Sequence, residues 1–196
     1  MTLILLAGGE NRRIPFNKSL IAVGGVCMID RIMEVHKRIF NDKILISTNS
    51  PEIYFRYGLK MVGDILDFRG AMTGIFSVMV NEDDEWFFVT ACDMPYVKEE
   101  LVRYIISTDK KADAVIPVYN GEPQPLLGMY NRSLTGRLYG NIKRDRRSMR
   151  AFLREINTYF IDEETVRAID ERGCSFININ TLDDLNKIQG GCICSD

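Results

Sequence analysis

Five short runs of nearly uninterrupted apolar residues constrain this chain more than any other feature: LILLA (3–7), KILIS (43–47), EWFFVTAC (85–92), DAVIPVY (113–119) and NTYFI (157–161). Successive side chains of a strand point to opposite faces, so a strand with one wet face alternates polar and apolar residues. These runs do not alternate, which predicts strands buried on both faces, as in a parallel sheet covered by helices. Between them, Val26–Phe40 places Met28, Ile29, Ile32, Met33, Val35 and Ile39 at largely helical spacing, and Lys98–Ser107 repeats the pattern with Leu101, Val102, Ile105 and Ile106. Alternating strands and helices imply right-handed crossovers and an α/β fold, a three-layer α/β/α sandwich around a mostly parallel sheet. From about Gln124 the rhythm loosens. The later third is expected to extend the same sheet, so residues 1–196 are read as a single domain.

Composition narrows the function classes. A formal charge of −2 supplies no net basic field of the kind that non-specific nucleic-acid binding exploits, so no nucleic-acid partner is expected. No apolar stretch approaches the roughly 18 residues of a membrane span, and the apolar opening is too short for a signal-peptide core, which makes no membrane and a cytoplasmic location the default. Five cysteines, an odd and scattered set, argue against a disulfide framework. Cys192-Ile193-Cys194 reads either as a thiolate clip or as a plain tail. His36, with no second histidine to join it, reads as a surface or partly packed residue of the first helix.

In open α/β sheets, ligands sit beyond the carboxyl ends of the strands, so the residues that follow each apolar run are the candidate site. After the first run come Gly8, Gly9, Arg12, Arg13 and Lys18; after the second, Thr48 and Asn49; after the third, Asp93. Glycines permit close approach of backbone N–H groups to an anion, and guanidinium and ammonium groups neutralise phosphate. The turn is not a P-loop, lacking GKS or GKT, nor a dinucleotide fingerprint, lacking the third spaced glycine. A tight structural turn and a phosphate cradle both fit the glycines. Asp93 in ACDMP fits two roles equally: cap of a helix starting near Val97, or ligand of Mg²⁺, which commonly takes one or two carboxylates plus substrate phosphates.

The motifs in order resemble those of the molybdenum cofactor guanylyltransferases, nucleotidyltransferases of the Rossmann-like nucleotide-diphospho-sugar-transferase fold. LLAGGENRRIPFNK is similar to LAGG-x-S-R-R-M-G-x-D-K, with Arg12, Arg13 and Lys18 in register; GDILDFRGAMTGIFSVM to D-x(5)-GPL-x-G; ACDMPYV to CD-[MT]-P; QPLLGMYNRSL to PL-x-x-x-Y; and DRRSMRAFL and FININTLDDL to R-R-x-x-x-F and NINTPEDL. The resemblance implies transfer of GMP from GTP to molybdenum-molybdopterin, with release of pyrophosphate and with Mg²⁺ as cofactor. It implies that Leu6, Ala7, Gly8 and Gly9 cradle GTP, that Lys18 contacts its phosphates, that Asn49 and Asp64 lie in the nucleotide site, and that Asp93 holds the metal. Arg12 and Arg13 would offset the repulsion between two polyanions, making Arg12, Arg13, Lys18 and Asp93 the catalytic set. The pterin would lie near Gln124, Arg146, Arg147, Asn178 and Asn180. Lys143–Arg154 carries six cations and one acid, and it reads equally as a solvated helix face.

Three positions depart from that pattern. Ile14-Pro15 stands in place of Met-Gly, Asn17 in place of Asp, and Gly70-Ala71-Met72 in place of GPL. Proline removes a backbone donor, and Asn17 removes a carboxylate that could orient Lys18. Two further readings follow: a related transferase with another substrate, such as a cytidylyltransferase, or a non-catalytic partner in molybdoenzyme maturation that handles nucleotide or cofactor. LAGG and the NINT run favour guanine.

Overall fold

Strand β1 (Thr2–Leu6) is buried along its whole length, and its side chains divide between two cores: Leu3 and Leu5 enter one, Ile4 and Leu6 the other. That division is what an unalternating apolar strand requires. The computed structural model describes residues 1–8, 18–109, 111–179 and 184. After β1, Ala22–Val23 (β2) and Val26–Cys27 (β3) form a small antiparallel hairpin, followed by α1 (Met28–Phe40), β4 (Ile44–Ser47), β5 (Lys60–Val62), α2 (Ala71–Asn81), β6 (Trp86–Ala91) and α3 (Glu99–Ser107). The later third contains β7 (Ala114–Tyr119), β8 (Glu122–Pro123), β9 (Leu127–Asn131), α4 (Thr135–Lys143), α5 (Met149–Glu155), β10 (Thr158–Ile161) and α6 (Glu163–Ile169).

The main sheet has the order β10-β7-β9-β6-β1-β4-β5, with β8 paired to β7. Strands β6, β1, β4 and β5 are mutually parallel, as are β10 and β7, while β9 runs antiparallel to both β6 and β7. Helices α1, α3 and α6 pack on one face through Ile29, Ile32, Leu101, Ile105 and Val166. Helices α2, α4 and α5 pack on the other through Ile75, Met79, Leu138, Phe152 and Leu153. The expected three-layer α/β/α sandwich with a mostly parallel sheet is what the chain forms.

Periodicity alone misplaces some elements. Helix α1 starts at Met28, not Val26, because Val26 and Cys27 are drawn into the hairpin. Helix α2 has no amphipathic stripe, since Met72 to Met79 are buried at every position; a helix wedged between a sheet and a second helix is apolar all round. Gly74 permits that wedging: a Cβ there would lie 2.6 Å from Ser47 Oγ and 3.1 Å from Leu6 Cδ2. The cysteine expectation is corrected at Cys174, which is disulfide-bonded, while Cys27 and Cys92 are in no disulfide. Cys192 and Cys194 lie outside the described residues.

The reading of His36 as a surface or partly packed side chain is overturned. It is fully buried, stacked on Phe40 with ring centroids 6.1 Å apart and tilted against Phe88 at 6.2 Å. Its Nδ1 donates to the Ile32 carbonyl at 2.8 Å, and Nε2 has no hydrogen-bond partner among the described residues. Burial pushes its pKa down to about 4 from 6.5. A depressed histidine pKa means that the unfolded chain takes up the proton first, so this contribution is intact above pH 6.5 and is lost as pH falls toward 4. Between pH 7 and pH 4 the group is expected to remove about 3 kcal/mol of stability. Urea unfolding across that range should show the slope, and His36→Leu should flatten that part of it; an unchanged slope would assign the acid sensitivity elsewhere.

Candidate active site

The parallel strands β1, β4, β5 and β6 end on one edge of the sheet, and the chain order reverses there. From β1 the connections run outward through β4 and β5, then return to β6 on the other side of β1. The crevice at such a switch lies between β1 and β6, which are followed by Ala7-Gly8 and by Cys92-Asp93. The ends are held in register: Cys92 N donates to Leu6 O at 3.0 Å, Ala7 N to Ser47 O at 2.9 Å, and Thr48 N to Val62 O at 2.9 Å. Leu6 and Ala7 are buried and Gly8 is exposed at the mouth. Thus Leu6, Ala7, Gly8, Asn49, Asp64 and Asp93, drawn from four separate segments, share one edge.

Asn49 and Asp64, which follow β4 and β5, form a two-point clamp. Asn49 Nδ2 donates to Asp64 Oδ2 at 2.8 Å, and the Asp64 backbone N–H donates to Asn49 Oδ1 at 2.7 Å. Half-burial raises the Asp64 pKa, while the Asn49 amide and the nearby Arg69 guanidinium oppose the shift. The loop that continues from Asp64 is tied to α2, where Ser77 Oγ accepts from Ile65 N at 3.0 Å.

Asp93 follows β6 directly. Helix α3 begins only at Glu99 and takes no side-chain cap from its preceding residue, so the capping role is excluded for Asp93. Its backbone carbonyl accepts from Ile179 N at 3.0 Å, which brings the C-terminal Asn178-Ile179 run onto the same edge. Ile179 is buried with Val23 and Met28, and Asn178 is exposed beside it. Asp93 Oδ1 is shielded from solvent. Among the described residues no group of three or more His, Cys, Asp or Glu side chains could hold a metal by itself. A single carboxylate fits a hard cation that completes its shell with phosphate oxygens and water, and does not fit a four-ligand zinc site.

The more distant candidates take these places. Strand β9 runs antiparallel, so its start lies at the same edge, with Leu127 opposite Thr90. Gln124 precedes it, and its amide donates to Tyr119 O at 3.2 Å and Glu122 O at 3.1 Å, closing the β7–β8 hairpin. Arg146 and Arg147 are exposed on the turn between α4 and α5, paired with Glu155 at 3.8 Å and Asp145 at 2.5 Å. Arg147 also lies 5.6 Å from the ring of Phe68, on the loop that starts at Asp64. Lys18 opens a short 3-10 turn, Lys18–Leu20. Gly9, Arg12, Arg13, Pro15, Asn17 and Asn180 lie outside the described residues.

The structure adds groups that no local pattern marks. The side chain of Tyr54 is fully buried, and its hydroxyl donates to Ala7 O at 3.3 Å and lies 3.0 Å from Ser19 Oγ. Its partners are 47 and 35 positions away in the chain. Arg69 and Ser77 similarly act on the Asp64 loop through space.

The family model described as the MobA-like NTP transferase domain matches residues 3–163, from the first strand through the last. The chain belongs to the MobA-like NTP transferase family. A molybdenum cofactor guanylyltransferase from Desulfosudis oleivorans is 31% identical over 191 residues, spanning 96% of this chain and 94% of that protein. A probable molybdenum cofactor guanylyltransferase from Pelotomaculum thermopropionicum is 30% identical, over 95% and 90%. The crystal structure of molybdopterin-guanine dinucleotide biosynthesis protein A from Archaeoglobus fulgidus superposes with a TM-score of 0.84 at 27% identity, over 98% of each chain. This MobA-like transferase thus carries Asp93, Asn49 and Asp64 on the edge where its fold presents ligands, and among its described residues no helix is long and apolar enough to cross a membrane.

Proposed function

We propose that this MobA-like transferase moves GMP from GTP to the terminal phosphate of molybdenum-molybdopterin and releases pyrophosphate, residues 1–196 acting as one transferase unit. The observation that carries the reading is the convergence of Gly8, the Asn49–Asp64 clamp and Asp93 on one sheet edge in a chain of this family. The acceptor phosphate oxygen attacks the α-phosphorus in line as the bond to the pyrophosphate oxygen breaks. That chemistry needs positioning and charge neutralisation and no protein nucleophile. Leu6, Ala7, Gly8 and Gly9 form the backbone cradle for GTP, and Lys18 pairs with its phosphates. Arg12 and Arg13 offset the repulsion between the two anions, and Asn49 with Asp64 orients the nucleotide. Arg146, Arg147, Asn178 and Asn180, with Gln124 at the hairpin, receive the acceptor.

Asp93 is the side chain that would hold Mg²⁺. A cation bound there supplies Lewis-acid charge and a template for the triphosphate. Pyrophosphate release from GTP, CTP and ATP, with and without molybdate-loaded molybdopterin, tests the reading. Release with GTP and acceptor supports it; release with CTP moves the substrate, and silence with measurable GTP binding points to a non-catalytic partner.

Asn49→Ala is expected to cost about tenfold in kcat/KM for GTP, since Asp64 loses the amide that orients it and its own N–H loses an acceptor, worth about 1–2 kcal/mol together. Steady-state kinetics at fixed acceptor would show it, and an unchanged GTP parameter would remove the clamp from the nucleotide site.

A further inference from the structure

We infer that Tyr54 is a positioning residue for nucleotide binding, acting by pinning together the two described ends of the segment that leaves β1 and returns at the Lys18–Leu20 turn. The inference rests on the preceding reading of Gly8 and Lys18 as phosphate-binding groups. Ala7 is the last residue before Gly8, and Ser19 directly follows Lys18. One hydroxyl meets both: Tyr54 donates to the Ala7 carbonyl at 3.3 Å and lies 3.0 Å from Ser19 Oγ. A hydroxyl both donates and accepts, so with its proton on the Ala7 carbonyl the same oxygen accepts from the serine. Tyr54, Ser19 and Ala7 are all buried, where such bonds are not exchanged freely with water.

The location of Tyr54 supports this role. It sits between the two short 3-10 turns after β4, Pro51–Ile53 and Phe55–Tyr57, with its backbone N–H on Pro51 O at 2.9 Å. Its ring packs in the core under β1 together with Leu3, Leu5 and Ile46. The hydroxyl therefore projects from a fixed base. A phenylalanine would fill the same core and remove both of these bonds, which is the reason to separate hydroxyl from ring.

The test compares wild type with Tyr54→Phe, Ser19→Ala and the double variant, using GTP binding by calorimetry without acceptor and hydrogen exchange at the amides of residues 18–20. Tyr54→Phe is expected to raise the GTP dissociation constant about tenfold, with exchange at Ser19 and Leu20 faster by a similar factor and a modest fall in the urea midpoint from the buried bonds lost. The double variant should be no weaker than Tyr54→Phe, because Tyr54→Phe already removes the Tyr54–Ser19 bond that Ser19→Ala breaks. Wild-type affinity and exchange in Tyr54→Phe would overturn the inference, as would losses that simply add in the double variant. A wild-type chain that binds no GTP overturns the guanylyltransferase reading, and the exchange arm then still decides whether Tyr54 pins the segment.

Discussion

Replacing Asp93 by asparagine is expected to abolish GMP transfer while leaving the fold in place. The two side chains have the same shape, and one bond at this position, Ile179 N to Asp93 O at 3.0 Å, is made by the backbone and survives the change. What is lost is one negative charge at the switch point between β1 and β6, on the side chain assigned to the cation. Removing a single group that stabilises developing charge costs about 100- to 1,000-fold in turnover, and losing the anchoring carboxylate of a metal should reach at least the upper end. Pyrophosphate release from GTP, measured against Mg²⁺ concentration, is the readout, with thermal unfolding as the control. A variant that retains more than about a tenth of the wild-type rate would take Asp93 out of the mechanism. A non-catalytic binding protein would tolerate the change, so the same variant separates the transferase from the adaptor.

Gly128→Val should be the most damaging single change to the fold. Gly128 lies in the middle of β9, opposite Val89 of β6. A Cβ there would stand 2.7 Å from the Val115 carbonyl oxygen and 2.6 Å from Ile116 Cδ1. The first neighbour is backbone, so relief requires opening the sheet between β7 and β9 rather than turning a side chain. Overpacking of this kind costs about 3 kcal/mol, a large share of the roughly 5–15 kcal/mol that holds a domain together. The expected result is a urea midpoint shifted far down, or no recoverable folded protein, and Gly128→Ala should move in the same direction by less. Gly140→Ala is the contrast. That glycine lies in helix α4 with nothing within 4 Å of an added Cβ, so alanine should stabilise by about 0.5–1 kcal/mol. Equal effects at both positions would show that the close approach of β7 to β9 has been misjudged.

These two positions differ in how far the sequence reveals them. Asp93 is visible because it follows a run, EWFFVTAC, whose uniform hydrophobicity marks a central strand and hence the edge where ligands bind. Whether it caps a helix is not visible, since that depends on where α3 begins, and α3 begins at Glu99. Gly128 sits where the pattern loosens, in PLLGMYN, and nothing local announces a strand inserted against the direction of its neighbours. His36 shows the same limit inside α1: spacing puts it on that helix, but its full burial comes from packing that includes the opposing Phe88 of β6.

What the sequence determined by itself is the layered architecture, its mostly parallel sheet and the edge residues that follow the apolar runs, Gly8, Asn49 and Asp93 among them, because double-sided burial and strand-to-turn transitions are written in consecutive residues; Asp64, after the short β5 that no such run marks, is indicated only by the family resemblance. The tertiary structure alone decided which of those residues touch. Asn49 closes on Asp64 across 15 positions, Tyr54 reaches Ala7 across 47, and Ile179 returns to Asp93 from the far end of the chain. Hydrogen bonds form over about 3 Å, and the chain path between their partners depends on the packing of every element between them, so no local pattern encodes them.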